Sequence, residues 1–83
     1  MTRLDGNAIA GELIDIFGEE MTTATATCSS CGSARPLAEL AVYRQAPGIV
    51  GRCASCANVM MVIVQIREIR CVDLHGITAI NRA

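Results

Sequence analysis

Cys28-Ser29-Ser30-Cys31-Gly32 and Cys53-Ala54-Ser55-Cys56-Ala57 are the two stretches that decide how this 83-residue chain reads. Each is a C-x₂-C pair, and 21 residues separate them. Two residues between thiolates make a tight turn that aims both sulfurs at one ion, while the turn's N–H groups hydrogen-bond back to them. Two such turns complete a tetrahedral S₄ shell, which the d¹⁰ ion Zn²⁺ accepts without strain. The separation is close to the spacing of about 15–20 residues that marks paired zinc-binding C-x₂-C turns. Cys28, Cys31, Cys53 and Cys56 are therefore the expected ligands of one structural zinc ion. Four thiolates leave no coordination position for substrate or water, so the metal is expected to stabilise and not to catalyse, and the chain is not expected to be an enzyme.

The segments around the cysteines read as strands. Thr22 to Thr27 alternates Thr and Ala ahead of the first pair, and Leu37 to Arg44 is a second strand candidate. Ala46-Pro47-Gly48 is a turn signal near the midpoint between the pairs, and Ile49 to Arg52 returns from it to Cys53. Beyond the second pair, Val59 to Ile66 is the strongest strand of all. Ile69 to Leu74 is placed to fold back on it through Arg67-Glu68, and His75-Gly76 is a turn before the short apolar segment Ile77 to Ile80. At the other end, Leu4 to Phe17 reads as an amphipathic helix, with Ile9, Leu13, Ile14, Ile16 and Phe17 on one face. Asp5 is its N-cap and Gly18 its left-handed terminator.

Two cysteine knuckles, each preceded by a strand and joined by a hairpin, resemble the zinc-ribbon group. The resemblance implies a small β-rich zinc ribbon with an N-terminal α-helix and a C-terminal β-hairpin. Gly32 follows the first knuckle where positive φ is often needed. Ala57 departs from that pattern in the second, where Asn58 is the residue expected to supply the left-handed turn. The whole chain, with its Leu4-Asp5-Gly6 opening and Asp73-Leu74-His75-Gly76 close, also resembles a group of short uncharacterised actinobacterial proteins. One domain is expected over residues 1–83, divided into a helical N-terminal segment (1–20), the ribbon (21–58) and the C-terminal strands (59–83).

Composition sets the bounds. The hydrophobic fraction is 52%, yet Phe17 and Tyr43 are the only aromatic residues. A core without large aromatics in so short a chain makes an additional staple such as a metal plausible on physical grounds. The net charge of −1 argues against a protein that lives on nucleic-acid phosphates. Its distribution is uneven: residues 1–27 hold Arg3 against Asp5, Glu12, Asp15, Glu19 and Glu20, while Arg35, Arg44 and Arg52 outnumber Glu39 in the ribbon. Glu19 and Glu20 are expected to cap the helix end in solvent. The longest unbroken apolar run, Val59 to Val64, is six residues, against the ~20 that a membrane-spanning helix needs. With no secretory signal at the amino terminus, the expected location is the cytoplasm, where disulfides do not persist and paired cysteines point to metal or redox chemistry.

A protein-interaction module or regulator is the function expected from a saturated structural metal. A nucleic-acid-associated ribbon of the transcription or translation machinery is the runner-up, with Arg35, Arg44 and Arg52 as its contacts. A small redox protein, holding rubredoxin-like iron or switching between dithiol and disulfide, is the third reading. Arg52, beside Cys53, is placed to offset the thiolate charge or simply to face solvent. Cys71, in an apolar strand, is expected in the core, and His75 at the surface. Finally, Met60, Val62, Val64 and Ile66 share one face of the strongest strand, with Met61 and Ile63 on the other. One helix covers one face. The second must meet Ile77 to Ile80 or another copy of the chain, and a homodimer is the expectation.

Overall fold

The computed structural model describes residues 3–45 and 48–81. Among these residues, eight strands form two antiparallel sheets. The larger contains β1 (Arg3–Leu4), β4 (Ala41–Gln45), β5 (Gly48–Arg52), β6 (Val59–Ile66) and β7 (Ile69–Asp73), in the order β1-β4-β5-β6-β7. The smaller contains β2 (Thr25–Cys28), β3 (Ala34–Pro36) and β8 (Ile77–Asn81), in the order β3-β2-β8. One short helix, α1 (Ala10–Phe17), lies between the first two strands in sequence.

The register assigns the faces of the larger sheet. Paired residues point the same way, so Leu4, Val42, Gly51 and Met61 share one side with the row Arg44, Ile49, Ile63 and Val72. Val42, Ile49, Met61 and Ile63 are buried there, together with Ile9 and Leu13 from the N-terminal segment. Two ion pairs run from α1 to that same face: Arg44 to Glu12 at 3.0 Å and Arg70 to Asp15 at 3.8 Å. The smaller sheet adds Ala26 and Cys28 to the same core.

The N-terminal segment is less helical than its periodicity predicts. Leu4 is in a strand, paired with Val42, and a 3₁₀ turn over Gly6–Ile9 precedes α1. Pairing in the sheet gives Leu4 a half-buried site, and Asp5 ends the strand by accepting the Asn7 N–H at 3.0 Å. The tighter 3₁₀ turn shifts the helical phase. Ile9 and Leu13 are fully buried, Ile16 and Phe17 pack partly, and Ile14 is turned out to solvent at 43% exposure. Gly18 ends the helix at φ 78, as expected.

Two further expectations change. Leu37 to Arg44 is not one strand: Leu37–Glu39 forms a 3₁₀ turn before β4. The N–H groups of Leu37 and Ala38 donate to the carbonyls of Ala24 and Thr22, so a loop and not a strand takes them. Glu20 does not simply cap the helix in solvent. It accepts hydrogen bonds from the backbone N–H and the hydroxyl of Thr22, which hold its carboxyl below the usual range. Ala46 and Pro47, read as a turn, lie outside the described residues, although the strands on either side pair Gln45 with Gly48. β6, the Arg67-Glu68 turn and β7 form the hairpin read from the sequence.

After β7 the chain leaves the larger sheet and joins β2 as β8, with Ala26 opposite Ile80. Gly76 makes that crossing tight. A Cβ there would sit 1.9 Å from the Val59 carbonyl oxygen and 2.6 Å from the Met60 Cα. The crossing thus covers Met60 on the outer side of β6 and leaves Val62 and Val64 half-buried and Ile66 at 58% exposure.

Candidate metal centre

β2 delivers Cys28 and β5 delivers Cys53, so one cysteine pair follows a strand of each sheet. The two turns that follow are built alike. In the first, the Gly32 N–H donates to the Cys28 carbonyl at 3.0 Å and the Cys28 N–H to the Ser33 carbonyl at 2.9 Å. In the second, the Ala57 N–H donates to the Cys53 carbonyl at 2.9 Å and the Cys53 N–H to the Asn58 carbonyl at 2.8 Å. The N–H groups of Ser30 and Ser55 point at the Sγ atoms of Cys28 and Cys53, each at 3.4 Å. Ala57 itself takes the left-handed conformation, at φ 64, matching Gly32 at φ 74. Asn58, expected to supply it, instead closes the turn with its carbonyl.

This construction brings all four sulfurs within 4.8 Å of one another. Cys28 and Cys56 are 3.6 Å apart and Cys31 and Cys53 are 3.7 Å apart, both pairs crossing from one turn to the other. Sulfurs about 2.3 Å from a central ion at tetrahedral angles lie about 3.8 Å apart, whereas a disulfide needs about 2.05 Å. All five cysteines are free thiols. The first cysteine of each turn is buried and the second is exposed, so the site is open on one side only. The four cysteines singled out in the sequence are thus brought together, and the arrangement is competent to hold one metal ion.

The thiols do not titrate alike. The N–H groups of Cys31 and Ser30 lower the Cys28 thiol. Burial pushes Cys53 up, but the N–H groups of Cys56 and Ser55 and the neighbouring thiols outweigh it and bring it to about 6. At Cys31 the Ser33 N–H works downward, yet burial and the three surrounding thiols carry it up to about 11. Cys28 and Cys53 are therefore thiols whose charge the fold favours before any cation arrives. Deprotonated thiols are what a metal binds.

Around the sulfurs lies a polar layer. Arg35 Nε donates to Ser33 Oγ at 3.3 Å and to Ser55 Oγ at 3.1 Å, and its Nη1 pairs with Glu39 at 3.1 Å. Arg35 therefore spans the two turns, a role the sequence did not announce because Ser33 and Ser55 become neighbours only after folding. Arg52 donates to the Ala57 carbonyl at 2.9 Å, bracing the left-handed residue of its own turn.

The remaining candidates lie elsewhere. Cys71 is no part of the sulfur cluster. It is exposed, not in the core, because it pairs with Val64 on the outer face of the larger sheet. His75 is exposed, as expected, and its N–H donates to Asp73 Oδ1 at 2.8 Å. Among the described residues, no helix is long and apolar enough to cross a membrane.

A family described as of unknown function, DUF6510, matches residues 1–83 from end to end. The chain belongs to the DUF6510 family. No curated protein and no solved structure matches it. In this DUF6510 chain the sulfur cluster is where the sequence and the geometry meet.

Proposed function

We propose that the chain is a zinc ribbon whose single Zn²⁺, bound by Cys28, Cys31, Cys53 and Cys56, holds the two sheets together, and that it works in the cytoplasm as a protein-interaction module or regulator and not as an enzyme. The observation that carries the reading is the spacing of the four sulfurs, at 3.6 and 3.7 Å across the turns, against the edge of about 3.8 Å of a zinc–thiolate tetrahedron. The ion would sit where β2 of one sheet and β5 of the other end, so it would tie the two sheets together at that end. A complete S₄ shell leaves the ion no site for water or substrate.

The arginines weigh the partner class. Arg35 is engaged with Ser33, Ser55 and Glu39, Arg44 with Glu12 and the Ala8 carbonyl, and Arg52 with the Ala57 carbonyl. Cations used inside the fold favour a protein partner over nucleic-acid phosphates. Elemental analysis of protein purified without added metal tests the reading: about one zinc per chain is expected. Iron in equal or greater amount, with a red colour, defeats it in favour of a rubredoxin-like site.

A further inference from the structure

We infer that the cleft between α1 and the inner face of the larger sheet is a binding site for a small organic monocarboxylate with an apolar body. The cleft has a volume of about 340 Å³, within the range of small-molecule sites. Its floor is Ile49 and Ile63, a cross-strand pair from β5 and β6, and its rim carries Glu12, Arg44, Gln65 and Arg70. An apolar floor with a few polar groups at the rim is the form of a site for an amphipathic ligand.

The two arginines are not in the same state. Arg44 is neutralised: Nη2 lies 3.0 Å from Glu12 and donates to the Ala8 carbonyl at 2.8 Å. Arg70 has a carboxylate in ion-pair range but none in hydrogen-bond contact. Its Nε and Nη2 donate to the neutral amide oxygen of Gln65 at 3.2 and 2.8 Å. The carboxylate paired with it, Asp15, is 3.8 Å away, beyond hydrogen-bond length, on a side chain that is 66% exposed. The Arg70 side chain itself is only 28% exposed. Asp15 supplies charge from the solvent side, while the hydrogen bonds of the guanidinium go to a neutral oxygen and leave room for a carboxylate in direct contact. A guanidinium has five N–H donors, and Gln65 uses two; the Nη1 edge is left for an incoming carboxylate. Gln65 and Arg70 pair across β6 and β7, which fixes the guanidinium at the mouth of the cleft.

The volume sets the size of the ligand. A cleft of about 340 Å³ is at the small end of small-molecule sites. The ligand class is therefore a medium-chain or compact aromatic monocarboxylate, with its carboxylate on Arg70 and its apolar part over Ile49 and Ile63.

Octanoate, with ten non-hydrogen atoms, is the probe, and calorimetric titration of the full chain is the measurement. Saturable binding at one site is expected, with 1-octanol at least tenfold weaker. Gln65→Glu keeps the hydrogen bonds to Arg70 but puts a negative charge in direct contact with it, so it should weaken octanoate at least tenfold without loss of thermal stability. Arg70→Gln should do the same, with its melting temperature checked alongside. No saturable binding, equal affinity for octanol, or wild-type affinity in Gln65→Glu overturns the site. The last result would mean that octanoate merely adsorbs on the outer apolar face. None of these readouts depends on which metal the cysteines hold.

Discussion

Gly32 and Ala57 occupy the same place in two copies of one turn, with φ values of 74 and 64, although only one of them is glycine. A side chain in the left-handed region costs about 1–2 kcal/mol. A Cβ built on Gly32 meets nothing within 4 Å, so backbone strain alone decides the outcome there. Gly32→Ala should lower stability by about 1 kcal/mol, and Ala57→Gly should raise it by a little less, because glycine also gains freedom in the unfolded chain. Thermal melts of the two variants, each in its metal-loaded form, check the opposite signs. Equal shifts in one direction would mean that the turns are not equivalent.

Removing a ligand should be far more damaging. Structural zinc in finger peptides is worth on the order of 10–16 kcal/mol, as large as the whole stability of a small domain. Cys31→Ser or Cys53→Ser should leave the chain unfolded or aggregated, while Cys71→Ser, outside the cluster, should keep both fold and metal. Circular dichroism before and after treatment with a strong chelator gives the complementary test. A fold that survives complete removal of the metal is held by its core alone.

Acid should act through the same sulfurs. Cys53 is lowered in the folded protein to about 6 from an ordinary value of 9.0, so its folded form binds a proton less readily than its unfolded form. Its contribution is complete above the ordinary value and is lost as pH falls through about 6. Stability and metal retention should therefore fall together as pH drops below neutrality. Melts and metal release followed from pH 8 to pH 4 read this out. Full retention of zinc at pH 4 contradicts it.

Arg35 should govern how tightly the two turns stay closed. Its Nε reaches Ser33 and Ser55, one from each turn's neighbourhood, and it is not itself one of the four sulfur-bearing residues. Arg35→Ala should release zinc to a chelator about tenfold faster, the effect typical of a lost outer-shell partner, with secondary structure unchanged. Arg35→Lys should restore little, since a point charge does not reproduce the fork of hydrogen bonds. A release rate equal to wild type removes Arg35 from the site.

The outer face of the larger sheet is where we propose that a second copy docks. Tyr43, Val50 and Val62 lie in one row, Val64 and Cys71 in the next, and Ile66 and Ile69 at the hairpin end, the last at 69% exposure. Among the described side chains of these rows, Asp73 carries the only charge, at the edge, where it accepts the His75 N–H. Two such faces can stack with few like charges opposed. Light scattering at micromolar concentration should give a dimer mass, and Ile66→Lys with Ile69→Lys should return it to monomer. Met61→Lys is no substitute, because Met61 is buried in the core and its change would unfold the chain. A monomer mass for the wild type ends the proposal.

The cysteine spacing determined which residues form the sulfur cluster, and the run Val59–Ile66 with its Arg67-Glu68 turn determined the hairpin at the edge of the larger sheet. Both are local: two residues between sulfurs make a tight turn, and two residues between strands make a hairpin. The sequence could not say which side of β6 faces inward, because both sides are apolar and alternation carries no direction when neither face is polar. Only the tertiary structure decided it, by placing Ile9 and Leu13 over the Met61 side and a Gly76 crossing over Met60. The same holds for Leu4, whose helical spacing was overridden by a strand partner, Val42, nearly forty residues away in the chain. It holds for Cys71 too, turned outward by the register of β7 on β6. Hydrophobic pattern fixes which residues seek burial, but which of them obtain it depends on elements distant in sequence that only the folded chain brings together.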